Sequence, residues 1–260
     1  MKDDIDLRTL TPPTQYPLYE RLAAISSRVA PDTWVVIGGL MTEVLLGERG
    51  HAPPRTTTDG DVLGHIAVAH DVIEQIESVL TNELGMKARP TGQDRSIICR
   101  YEDADGYFID LLVPSRTRAA DKNRLGAVGT GDQQFLDTIS LRTVHYRHDT
   151  DPLVASFPSI TGAFYAKVCG WKEINLRGDD PATRYKHLID ALALARAASL
   201  DELRADQSAG FRKRLRLIHA EAANPEHPIV DERIGTDDLA AIADKLELAL
   251  DSEAARPGHR

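Results

Sequence analysis

The chain is poor in cysteine, aromatic residues and positive charge, and it has no long apolar run. Cys99 and Cys169 are its only cysteines in 260 residues, with neither the density of a disulfide framework nor the spacing of a zinc site, which fits a reducing compartment. No apolar stretch approaches the ~18 residues that a membrane span requires. The acidic start Met1-Lys2-Asp3-Asp4 lacks the pattern of a signal peptide, so the cytoplasm is the expected location. Lys and Arg number 31 against 40 Asp and Glu, a formal charge of −9. That balance excludes a protein that coats nucleic acid by charge alone, although a local basic groove remains open. With only five Phe and two Trp, no aromatic-rich surface for stacking unpaired bases is evident. There is no internal repeat.

What the chain does have is ordinary material for a globular fold, with 42% hydrophobic and 27% charged residues. Its length allows one large domain or two modest ones. The texture changes near residue 155. Before it, β-branched runs alternate with helical stripes; from Phe157-Pro158-Ser159 onward the chain is rich in Ala and Leu and reads as helix. The expectation is an α/β domain with a mixed sheet over 1–155, followed by a helical domain over 156–255. Residues 1–14 read as an extended leader, Tyr16 to Val29 as a helix, and Ser115 to Gln134 as a mobile loop and candidate lid. Ala254 to Arg260 is expected to be disordered.

The chemistry concentrates in three places. Thr33-Trp34-Val35-Val36-Ile37 is a strand-like run that stops at Gly38-Gly39, before the helical segment Leu40 to Leu46. Glycines at a helix start let backbone N–H groups approach an anion, though a strand ending in Gly-Gly is commonly just a tight turn. Arg55-Thr56-Thr57-Thr58-Asp59-Gly60-Asp61-Val62 comes next. If Thr58 to Ile66 is a strand, Asp59 and Asp61 project from one face. Two carboxylates that close repel, and a divalent oxygen-liking ion such as magnesium is the usual remedy. The spacing alone means little, because Asp4/Asp6, Asp103/Asp105 and Asp149/Asp151 repeat it; the last two of the hairpin segment, Asp103 and Asp105, belong to a turn. Third is Asp110, in the strand-like Tyr107 to Val113. A charge there needs an edge, a cation or a basic partner such as Arg95 or Arg100.

Strand, Gly-Gly, helix, then Arg-x-Thr-x-Asp-x-Asp and a lone Asp on a later strand resembles the nucleotidyltransferase superfamily of the polymerase-beta type, over Trp34 to Val113. Farther on, Lys167 followed by Arg184-x-Lys186-x-x-x-Asp190 is similar to the second half of the AbiEii and MenT toxin nucleotidyltransferases. The resemblance implies a nucleotidyltransferase core with a C-terminal helical domain. It implies two magnesium ions on Asp59, Asp61 and Asp110, and a nucleoside triphosphate held by Gly38, Gly39, Arg55, Thr57 and Lys186. Lys167 would lie near phosphates, with Asp190 as a supporting or catalytic acid. The implied reaction is transfer of a nucleoside monophosphate to an acceptor, tRNA in some members, by a toxin that works opposite an antitoxin.

Other readings of the same residues stay open. Arg55 could bind a phosphate or hold Asp59 or Asp61, and Lys186 and Asp190, four apart, could be a surface ion pair. The run Arg212-Lys213-Arg214-x-Arg216 could be a solvated helix face or a patch for an RNA backbone. Gly60 and His187 depart from the pattern of the resembled families. The acceptor could be a small hydroxylated cation, as for aminoglycoside nucleotidyltransferases, or a protein side chain, and a silent nucleotide-binding module is the reading from another class.

Overall fold

The computed structural model describes residues 3–65, 69–91, 97–114, 127–128, 138–177, 181–205, 208–224 and 234–251. Two compact units divide the chain, Met1–Ser159 and Ile160–Arg260.

The first unit is built on a mixed sheet. Its strands are β1 (Asp3–Asp6), β2 (Trp34–Ile37), β3 (Asp59–Gly64), β4 (Lys87–Thr91), β5 (Ile97–Glu102), β6 (Phe108–Pro114), β7 (Ala127–Val128), β8 (Ser140–His145) and β9 (Leu153–Phe157). They run in the spatial order β1-β8-β9-β2-β3-β6-β5-β4, with β7 paired to β6. The middle strand β2 is buried at all four positions, as expected of a strand covered on both faces. Beside it, β3 lies antiparallel to β2 and parallel to β6, and β6 is antiparallel to β5.

Alternation along β3 and β6 decides where the acids go. On β6, Ile109, Leu111 and Val113 are buried while Phe108, Asp110 and Leu112 are less so. On β3, Gly60 and Val62 face the core and Asp59 and Asp61 the more open side. Helix α1 (Tyr16–Ser26) buries Leu18, Tyr19, Leu22 and Ile25, and α2 (Gly38–Gly47) buries every residue from Leu40 to Leu46. The α1 residues, with Leu40 and Val44 of α2, Trp34, Val62, Ile109 and Phe157, belong to one apolar core. Helix α3 (Val72–Ser78) continues into a π-helical turn, Val79–Glu83.

Three expectations need correction. The leader is extended only in part: Asp3–Asp6 is an edge strand parallel to β8, with Ile5 buried between exposed acids, but the chain turns at 8–10 and coils into a short 3-10 turn at Pro13–Gln15. The polar strand β4 and the boundary strand β9 were not foreseen. The stretch from Phe157 onward, read as helix, is broken into separate helices, among them Leu200–Ala205 and Ala209–Ala222. The candidate lid, apart from Ala127–Val128, and the C-terminal residues after 251 lie outside the described residues.

The second unit contains α4 (Ile160–Arg177), α5 (Pro181–Ala197), α6 (Leu200–Ala205), α7 (Ala209–Ala222) and α8 (Thr236–Leu250). Basic side chains serve the unpaired carbonyls that helix ends leave. Lys245 Nζ donates to the carbonyls of Arg196 and Ala198 at 2.5 and 3.1 Å, closing α5. Arg204 and Arg212 donate to the carbonyls of Leu248 and Leu250 at the end of α8. No helix among the described residues is long and apolar enough to cross a membrane.

Candidate metal centre

Asp61 and Asp110 are direct register partners on the parallel strands β3 and β6. Asp59 is two residues before Asp61, so the pleat returns it to the same face. One carboxylate oxygen from each of Asp59, Asp61 and Asp110 lies within 4.8 Å of the others. Three hard oxygen donors, partly open to solvent, are the donor set a magnesium-sized ion takes, so the residues present fit a divalent cation.

The surrounding residues fix two of these acids. The Thr57 hydroxyl donates to Asp59 Oδ1 at 2.8 Å and also lies 3.1 Å from the Asp59 carbonyl oxygen. Gly38 has φ of +71°, and a Cβ placed there would sit 1.6 Å from Asp61 Oδ2. Only glycine lets the start of α2 approach that carboxylate. A Cβ on Gly39 would lie 2.4 Å from Thr57 Oγ1 and 3.3 Å from Arg55 Nη2, so the second glycine admits the side chains of the Arg-x-Thr lead-in. The Gly-Gly turn thus packs against the acid strand, with Arg55 and Thr57 beside it.

Asp110 has a basic partner as well. Arg100, its register partner on β5, donates through Nε and Nη2 to the two carboxylate oxygens at 2.7 and 2.6 Å, and its guanidinium stacks 4.8 Å from the centre of the Phe108 ring. The hydrogen bond to Asp110 raises the Arg100 pKa above its ordinary value. Burial opposes the rise, and the charges of Asp110, Asp59 and Asp61 add to it. The ion-pair reading of Asp110 is therefore realised, with Arg100 as the partner; Arg95 lies outside the described residues. This pairing leaves room for a metal, because each carboxylate oxygen keeps a second lone pair.

Gly60 also has a packing reason. It faces the core opposite Ile109, and a Cβ there would meet Ile109 Cδ1 at 2.7 Å. The isoleucine side chain fills the space that an apolar residue between the acids would take. Asp103 and Asp105 belong to the β5–β6 turn: Asp103 accepts from the backbone of Asp105 and Tyr107 at 2.8 and 2.9 Å and pairs with Arg21.

Lys167 and Asp190 belong to the second unit. Lys167 Nζ donates to Asp190 Oδ2 at 2.6 Å across α4 and α5, and the two residues are only 3% and 1% exposed. Asp190 is thus served from the neighbouring helix. Lys186 is exposed and forms no ion pair among the described residues. The Arg184 side chain lies outside them. His187 packs on Gly170, where an added Cβ would lie 3.1 Å from the imidazole Nδ1.

The basic run on α7 is largely turned inward. Arg212 is buried, and Arg214 lies over the Tyr165 ring and donates to the Gly210 carbonyl and to Cys169 Sγ. Lys213 and Arg216 remain exposed, and Arg214 is half-buried.

Comparison with protein-family models, with curated proteins and with solved structures finds no match to this chain.

Proposed function

We propose that the chain is a magnesium-dependent nucleotidyltransferase that moves a nucleoside monophosphate from a nucleoside triphosphate to an acceptor hydroxyl. The observation that carries this reading is the convergence of Asp59, Asp61 and Asp110 within 4.8 Å, against a Gly-Gly helix start whose backbone N–H groups suit an anion. In such a transfer the acceptor oxygen bonds to the α-phosphorus while the α–β phosphoanhydride bond breaks and pyrophosphate leaves. Magnesium, when bound, supplies the Lewis acidity that makes the hydroxyl a better nucleophile and spreads the phosphoryl charge. Asp59, Asp61 and Asp110 are the residues that would hold two ions. Thr57 keeps Asp59 aimed, Gly38 keeps Asp61 in reach of the turn, and Gly38, Gly39 and Arg55 face the phosphates. Lys167 and Lys186, which the resemblance would put near phosphates, belong to the second unit, where Lys167 is paired with Asp190.

The resemblance of the motifs to toxin nucleotidyltransferases makes tRNA the first acceptor to test and a cognate antitoxin the first protein partner. A second acceptor class has its own support: the inward Arg212 and Arg214 and the charge of −9 favour a small hydroxylated cation over a polyanion. Arg100 on both oxygens of Asp110 supports the third reading, a module that holds nucleotide without turnover.

One experiment separates the three. Purified protein is incubated with magnesium, each labelled nucleoside triphosphate in turn and total cellular RNA, with Asp61→Ala as control. Label in a tRNA-sized band that requires Asp61 establishes the RNA acceptor. Asp61-dependent pyrophosphate release only with added aminoglycosides moves the acceptor to small molecules. Nucleotide binding with no product under any condition sinks the enzyme reading.

A further inference from the structure

A group of buried polar side chains lies close to β3 that the chemistry above does not use. Thr11, Gln15, Tyr19 and Glu43 are buried, Gln15 and Tyr19 completely and Glu43 to 2% exposure. Glu43 is the one acid among the buried residues of α2, a helical turn past Gly39. The Tyr19 hydroxyl donates to Glu43 Oε1 at 3.0 Å. Glu43 Oε2, Gln15 Oε1 and Thr11 Oγ1 have no hydrogen-bond partner among the described residues. An ionised carboxylate with one oxygen unserved is among the costliest things a core can contain. A proton on Oε2 removes the charge from the core and lets the unserved oxygen act as a donor itself.

The group connects to the metal centre. Gln15 Nε2 donates to the Thr57 carbonyl at 3.4 Å inside the core, and the Thr57 hydroxyl donates to Asp59 Oδ1 at 2.8 Å. A line of contacts thus runs from Glu43 past Gln15 and Thr57 to a carboxylate of the triad. Burial pushes the Glu43 carboxyl above its ordinary range, opposed by the hydrogen bond from Tyr19 and by the polar side chains of Gln15 and Thr11, which lie close to it without a well-formed hydrogen bond to its Oε2. Burial and the Glu43 charge also push the Tyr19 hydroxyl up, so it stays a donor, and it is the one ionisable group among the described residues that faces Glu43.

We propose that Glu43 keeps its proton in the folded protein, and that Glu43, Gln15 and Thr57 form a strap that positions Asp59 for metal. The second half rests on the reading of Asp59, Asp61 and Asp110 as a metal centre; the first half does not. The positioning residues touch neither substrate nor metal and act through Asp59.

Two measurements test it on the full chain. The first needs no metal: infrared spectra and urea unfolding of the wild type and Glu43→Gln, at pH values from below to above the ordinary carboxyl range. Expected is a protonated-carboxyl C=O band, present above that range, which Glu43→Gln abolishes. A raised carboxyl contributes stability that is full below its unfolded value and is lost as pH rises through the folded value. The wild type should lose that increment and Glu43→Gln should not. A wild type without the band above the ordinary range overturns the proton.

The second is calorimetric titration with Mn2+ alone. Gln15→Leu should weaken binding by about tenfold or more, the usual cost of deleting an outer partner of a metal ligand, while Glu43→Gln, which keeps a donor, stays within about threefold of the wild type. Thr57→Val, similar in shape but without the hydroxyl, replaces Gln15→Leu if that variant fails to fold. Unchanged Mn2+ affinity in both overturns the strap. A wild type that takes up no Mn2+ overturns the metal centre and the strap together, and the infrared result still decides the proton.

Discussion

Gly38→Ala is the sharpest perturbation the fold offers, because one methyl group meets two constraints at once. The first is conformational. At φ of +71° an L-residue brings Cβ against a backbone oxygen, which costs about 1–2 kcal/mol. The second is steric: the new Cβ would lie 1.6 Å from Asp61 Oδ2, 2.5 Å from its Cγ and 2.9 Å from its Cβ. Rotating the Asp61 side chain removes the first two clashes but leaves the third, so the strand or the turn must also move. For a chain of this size 1–2 kcal/mol lowers Tm by roughly 2–8 °C. The larger effect is local. With Asp61 displaced, the triad loses one of its carboxylates, and divalent-ion affinity should fall by about a hundredfold or more, above the 10–100-fold typical of an outer-shell loss. Differential scanning fluorimetry with and without Mn2+ reads both quantities, since an ion that binds the folded state raises Tm by mass action. A Gly38→Ala protein that folds and responds to Mn2+ as the wild type does would refute the argument that the glycine turn and Asp61 share one space.

Other substitutions should follow the same geometry. Gly60→Ala meets only the far end of Ile109, so it should cost about 1 kcal/mol by urea unfolding, at the low end of overpacking effects, and leave the Mn2+ response intact. Arg100→Gln removes the guanidinium from Asp110; the metal-free protein should lose about 1 kcal/mol, discounted for the partial exposure of the pair, while Mn2+ raises Tm more than in the wild type. An Mn2+ response no larger than wild type would show that Arg100 and the ion do not compete. Lys167→Met removes the ion pair from buried Asp190 and should cost about 3–5 kcal/mol, whereas Lys167→Met with Asp190→Leu should recover most of it; denaturation curves monitored by tryptophan fluorescence would report this.

The acids and glycines of the site were legible because each is tied to a local pattern. A two-residue period puts Asp59 and Asp61 on one face, and a glycine pair after a β-branched run marks a close approach. What escaped depended on partners distant in sequence. Gly60 looked like a defect in a strand until Ile109, on β6, filled its place. Strand β1 is four residues with one buried side chain, too short for alternation to stand out, and it exists because β8 offers it an edge. Arg212 and Arg214 read as a basic face because helical spacing alone does not reveal that the end of α8 and the ring of Tyr165 would take them. Glu43 gave one signal that could have been used: an acid alone in the apolar run Leu40 to Leu46 needs either a partner or a proton.

The charges around the triad say how a metal would be taken up. Three carboxylates face the guanidinium of Arg100, and Arg55 lies beside Gly39 at the same turn. These cations already offset most of the repulsion that would otherwise force a proton or an ion between Asp59, Asp61 and Asp110. Three carboxylates and two guanidiniums leave a formal charge of −1, so even one divalent ion would make the site net positive, and a second more so, until a polyphosphate arrives. A triphosphate brings that negative charge with it, and it gives Arg55 and Arg100 alternative anionic partners. Ion and nucleotide then favour each other's binding, as linkage requires whenever each relieves the charge left by the other. Under the proposed function, a site arranged this way would fill when nucleoside triphosphate is present, as a phosphoryl-transfer centre requires and a structural metal site, whose ligands must stay engaged throughout, does not.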